Sequence, residues 1–108
     1  MASDPRLTEL MHDALSGRDG IEPKKMFGGT CWMLNGNMLC GDGTGQFMFR
    51  VGKEQEPELL SLPGTEPVIF SGRKMGGIIW VDEKQALEDG LDHWIAIARN
   101  FVGSLPPK

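Results

Sequence analysis

Residues 31–40 read Cys31-Trp32-Met33-Leu34-Asn35-Gly36-Asn37-Met38-Leu39-Cys40, CWMLNGNMLC, almost the same in both directions. Asn-Gly between two apolar arms is the strongest short hairpin signal, because a two-residue type I′ turn needs positive φ at both central positions. With Asn35 and Gly36 as the loop, Leu34 pairs with Asn37, Met33 with Met38, Trp32 with Leu39 and Cys31 with Cys40. The last would be a non-hydrogen-bonded pair, its Cα atoms about 4.5 Å apart, at the short end of the roughly 4.4–6.8 Å disulfide range. Cys31 and Cys40 are thus a candidate redox pair. A bond there would close only about ten residues of an already paired hairpin, so its entropic gain would be modest. Two other readings stand beside it. Alternation brings Met33 and Met38 to the cysteine face, and two thiols with two thioethers make a soft-ligand set of the kind that suits Cu(I). Small, adaptable side chains also simply fill a helix-packed sheet face, where Cys and Met are common. The spacing lacks the further Cys or His of a zinc site. Core packing is the favoured reading, and no metal or cofactor is expected.

Outward from the hairpin, KMFGGTCWML (25–34), NMLCGD (37–42) and QFMFRV (46–51) read as three consecutive antiparallel strands, with GDGTG as the second turn. Phe47, Phe49 and Val51 share one face of the third strand, and Met48 and Arg50 the other. KEQEPELLSL reads as a short helix stopped at Pro63-Gly64. PVIFSG and GIIWVD follow as two more strands joined through GRKMG. An opening helix starts at Asp4-Pro5, carries Leu7, Leu10, Met11, Ala14 and Leu15 on one stripe, and ends at Gly17. A closing helix carries Leu87, Leu91, Trp94, Ile95, Ala98, Phe101 and Val102 on another and ends at Gly103; Gly90 weakens its first turn and moves its start towards Asp89. The order predicts one α+β domain over residues 1–108, a two-layer α-β3-α-β2-α arrangement with helices packed on a five-stranded, mainly antiparallel sheet.

With 40% hydrophobic and 24% charged residues among 108, the chain has the composition of a globular protein. Its formal net charge of -4 provides no general footprint for nucleic acid, so direct DNA binding is not expected. No apolar run is long enough to span a membrane, and MASDPRLTEL has no apolar signal region. Together with two cysteines, this predicts a cytoplasmic protein. Free sheet edges make a homodimer a plausible arrangement.

Two stretches echo one another: KKMFGG (24–29) and RKMGG (73–77), each a basic pair, a methionine and a glycine pair. Neither is a P-loop or dinucleotide fingerprint, and bulges or bends at strand entries account for the glycines most economically. As an exposed surface they would present Lys24, Lys25, Met26, Phe27, Arg73, Lys74 and Met75 to a protein partner. The alternative is an anion or small molecule held against bare backbone N–H groups. His12 and His93 lie off the apolar stripes and read as surface residues. No Ser-His-Asp, Cys-His or His-x-x-x-His arrangement is visible, which argues against an enzyme.

Taken together, KKMFGG, the Asn-Gly hairpin, FMFRVG, LPGTEPVIFSGRKMGG and the closing LDHW…LPPK resemble the N-terminal domain of the TfoX (Sxy) family, from about Leu7 to Lys108. The resemblance implies a two-layer, secretion-chaperone-like fold and a connection with bacterial competence regulation. It supplies no catalytic residues. Full-length regulators of that family carry a C-terminal helix-hairpin-helix domain, which is absent from this sequence. The expected role is therefore that of a non-enzymatic interaction module.

Overall fold

Asn35 and Gly36 form the expected turn, with φ of 53° and 85°, and join β2 (Gly29–Leu34) to β3 (Asn37–Asp42). The computed structural model describes residues 5–26, 29–43, 45–70 and 72–106. Around this hairpin lie α1 (Pro5–Leu15), β1 (Ile21–Met26), β4 (Gln46–Arg50), α2 (Glu56–Leu60), β5 (Thr65–Phe70), β6 (Arg73–Asp82), α3 (Glu83–Asp89) and α4 (Leu91–Val102). The strands form one antiparallel sheet in the order β1-β2-β3-β4-β6-β5. The α+β class is as expected, but the element counts are six strands and four helices among the described residues.

Both differences have local causes. The stretch expected as one strand over 25–34 folds back on itself, with Met26 paired to Gly29, so that residues 21–26 become an additional edge strand. Pro23 concealed that strand in the sequence, because proline is tolerated only where no ladder N–H is required. The closing helix divides at Gly90, whose φ of 94° no helix accommodates. Leu87 consequently leaves the apolar stripe and is 44% exposed. Asp82 caps α3, its side chain accepting from the Lys84 N–H at 3.1 Å. The α1 cap expected of Asp4 lies outside the described residues, while Pro5 opens the helix as predicted.

One face of the sheet is covered by helices. Leu7, Met11 and Leu15 of α1, Leu59 of α2, Ala86 of α3, and Trp94, Ile95, Ala98 and Val102 of α4 pack on the inward residues of β2, β3, β4 and β6. Phe49 stacks on Trp94 with ring centroids 5.7 Å apart. On the opposite face, Cys31, Met38, Met48, Val68 and Ile78 form a second buried cluster, flanked by Met33, Met75 and Trp80. All eight are strand residues.

The hairpin register departs from the expected one below the turn. Leu34 pairs with Asn37 and Met33 with Met38, but Trp32 pairs with Cys40 and Cys31 with Gly41. Leu39 is the extra residue of a β-bulge, which places Leu39 and Cys40 together in the helix-side core. The predicted opposition of Cys31 and Cys40 is therefore corrected. One residue of slip sends them to opposite faces of the sheet, and both are free, buried thiols.

Candidate functional site

The two basic-glycine stretches do not form one surface. Lys24 and Lys25 lie on β1, an edge strand, near its end at Met26. Successive pairings carry that end of the sheet through Asp42 and Phe47 to Val81 and Thr65. Arg73, Lys74 and Met75 begin β6, next to the other edge strand, at the end of the sheet marked by Arg50 paired with Ile78. The echoing motifs thus occupy diagonally opposite corners. Phe27 lies outside the described residues. Lys24 and Lys25 are exposed; Lys25 lines a shallow groove against α1 with Thr8, Glu9 and His12.

At the second corner the three side chains have separate roles. Met75 packs with the helix-free cluster. Lys74 Nζ stands 3.4 Å from Oε2 of Glu56, a carboxylate only 6% exposed. That oxygen accepts no hydrogen bond among the described residues, so charge attraction is its compensation. Arg73 is exposed and faces Phe70 across the hairpin, while Lys74 faces Ile69. Ile69, at 62%, is the most exposed large apolar side chain among the described residues.

The glycines of RKMGG have the structural role that sequence favoured for them. Between the pairs Pro67–Ile79 and Ile69–Lys74, β6 contains three more residues than β5 requires, and Gly76 and Gly77 lie in this excursion. It turns the Gly77 peptide towards the segment after β4. The Gly77 carbonyl accepts from the N–H groups of Val51 and Gly52 at 2.8 and 3.0 Å, and its own N–H donates to Glu56 Oε1 at 3.2 Å. No motif announced this use of Glu56; the only sequence signal was an acid beside Pro57 at a helix start.

These contacts build one wall of a cleft of about 500 Å³, lined by Arg50, Gly52, Lys53, Gly76, Asn100 and Phe101 among others. The Phe101 ring lies on Gly52, where a Cβ would stand 2.6 Å from it. The Arg50 guanidinium is poised 5.8 Å from the same ring's centroid. The sequence put Phe47, Phe49 and Val51 on one face, which is the core face, and left Arg50 on the other, to solvent or to an acidic partner.

Asp42 is also buried and fully engaged. Its Oδ1 accepts from the Thr30 N–H at 2.8 Å and its Oδ2 from the Thr8 hydroxyl, tying α1 to the hairpin. Burial, assisted by the Asp42 carboxylate, pushes the Cys31 thiol up to about 11. Burial raises Cys40 further, with Cys31 and Asp42 adding to it and Arg18 opposing. Neither thiol is poised for reaction at neutral pH. His12 and His93 are exposed, as expected. Among the described residues no group of three or more His, Cys, Asp or Glu converges as a metal site, and no helix is long and apolar enough to cross a membrane.

The family model for the TfoX N-terminal domain matches residues 13–101. Comparison with curated proteins and with solved structures returned no match.

Proposed function

The chain belongs to the TfoX N-terminal domain family, and from that premise we propose that it is a non-enzymatic, cytoplasmic protein-interaction module of a bacterial TfoX-like regulator, linked to competence or transcription control through its family. The observation that carries the reading is the β5–β6 hairpin end, where Ile69, exposed, pairs with Lys74, and exposed Arg73 stands at the next position of β6. An exposed apolar residue at a hairpin end that also carries an arginine has the composition of an interface hot spot. Lys24 and Lys25, at the other corner, are peripheral to that surface. The surface suits a protein partner better than DNA, since its cations are few and the chain is net acidic. Self-association through the sheet edges is opposed by Pro23 in β1 and Pro67 in β5, each lacking an N–H to offer a new strand.

The test is recovery of a partner from a bacterial lysate by the immobilised full chain, compared with Ile69→Ser, Arg73→Glu and Lys24→Glu. A partner retained by the parent and by Lys24→Glu but lost with the two hairpin variants is the expected result. Equal recovery by all four proteins would remove the hairpin from the interface. A mobility shift of duplex DNA at low salt would overturn the absence of direct DNA contact.

A further inference from the structure

We propose that the cleft between the end of β4, the β6 excursion and the end of α4 binds a small organic phosphate, with Arg50 and Lys53 holding the phosphate. The site is independent of the hairpin surface, and nothing in the partner reading requires it.

Its charges are the first reason. Arg6, Arg18 and Lys74 each stand within 4 Å of a carboxylate, on Glu83, Asp92 and Glu56 respectively. Arg50 and Lys53 have no such partner among the described residues, yet both line the same cleft of a protein with a net charge of -4. Glu54, on the rim, is the single acid among the lining residues and is exposed. Two cations lining one cleft, neither within 4 Å of a carboxylate among the described residues, favour an anion.

The second reason is that these cations are positioned by the backbone. Arg50 is half-buried over Phe101, and that ring is seated on Gly52 because no Cβ intervenes. A guanidinium over a ring can still offer its N–H groups in bidentate contact to phosphate oxygens. The Lys53 stem lies along Gly76, its Cε 3.1 Å from where a Cβ would stand. Lacking a side chain, Gly76 lets the ammonium stem run beside β6 into the cleft.

Size and the far wall specify an organic body. About 500 Å³ exceeds what a bare phosphate fills and falls in the usual range of small-ligand sites. Asn100 and Ser104 of the α4 end line the far wall. The Ser104 hydroxyl already donates to the Phe101 carbonyl at 2.6 Å, so it offers lone pairs to a ligand hydroxyl.

The experiment is amide-resolved NMR titration of the full chain at low salt. The probes are a pentose phosphate, a hexose phosphate and a purine mononucleotide, each beside its dephosphorylated counterpart, and inorganic phosphate. At least one organic phosphate should shift Gly52, Lys53, Gly76 and the Asn100 side chain, bind more tightly than inorganic phosphate, and lose its effect on dephosphorylation. Lys53→Met, a change at an exposed residue that leaves the fold intact, and Arg50→Met should each weaken binding roughly tenfold, the loss expected for a charge-assisted hydrogen bond. Failure of all three organic phosphates to shift these amides would overturn the proposal. So would inorganic phosphate binding as tightly as they do, or affinity unchanged in both variants.

Discussion

Cys31 lies directly across from Gly41, and its Sγ would stand 3.1 Å from a Cβ placed on that glycine. The same Cβ would meet Met48 Cε at 3.0 Å and the Thr30 carbonyl oxygen at 3.1 Å. Gly41 is thus the gap into which the helix-free cluster closes. The methionine can swing away, but the Thr30 oxygen is backbone, next to the N–H that Asp42 binds. Gly41→Ala should therefore destabilise by about 1–3 kcal/mol, the usual cost of overpacking. Urea unfolding checks this, and a midpoint equal to that of the parent would show that the cluster has room to spare.

The buried thiols make stability fall at alkaline pH. Unfolding returns Cys31 from about 11 to its ordinary value near 9, so between these the folded state holds a proton that the unfolded chain releases. The contribution is complete below pH 9 and is lost as pH rises towards 11, with Cys40 acting in the same direction. A Cys31→Ala, Cys40→Ala double variant should show a shallower decline of the melting temperature across that window. Two thiols per chain should titrate after denaturation without reductant, and almost none before. Zero after denaturation would establish a disulfide and contradict the register.

The hairpin shows how far sequence can be read. Asn35-Gly36 determines the turn through φ alone, a local property, and the first two pairs follow from it. The bulge at Leu39 does not, because it answers to the helices: it turns both Leu39 and Cys40 towards Met11 and its neighbours, and the Cys40 thiol lies 3.8 Å from the Met11 sulfur. β1 was hidden by Pro23, and the division of the last helix was visible only as a weakness at Gly90. The corners to which the two basic motifs go depend on strand order, which no local pattern records. The cleft was invisible for the same reason: Arg50, Lys53, Gly76 and Phe101 come from three separate stretches.

Glu56 joins α2 to the β6 excursion through one buried N–H. Glu56→Ala would leave the Gly77 N–H buried without an acceptor, and should cost about 1–3 kcal/mol. Glu56→Gln retains an acceptor oxygen and loses only attraction to Lys74, a side chain 56% exposed, so its cost should stay within about 1 kcal/mol. Denaturant titration of both variants separates the roles. A larger loss for the glutamine than for the alanine would mean that the ion pair, not the backbone bond, is what Glu56 provides.

Asn37 ties the last described residues of the chain to the β2–β3 hairpin. Only 4% exposed, it donates from Nδ2 to the Pro106 carbonyl at 2.9 Å, across a sequence separation of 69 residues. Proline cannot extend α4, yet its carbonyl can accept, so Pro106 serves as an anchor after the helix ends. Asn37→Ala and truncation after Leu105 should each cost about 1 kcal/mol, since each removes one partner of the same bond. Because the bond can be lost only once, the double change should cost little more than the larger single one. Hydrogen exchange of the Leu105 amide, which donates to Val102 at 3.0 Å, should quicken in Asn37→Ala as the tail loosens. Costs that add in full, with exchange at Leu105 unchanged, would show that the tail is held by the packing of Leu105 on the core and that Asn37 serves the turn alone.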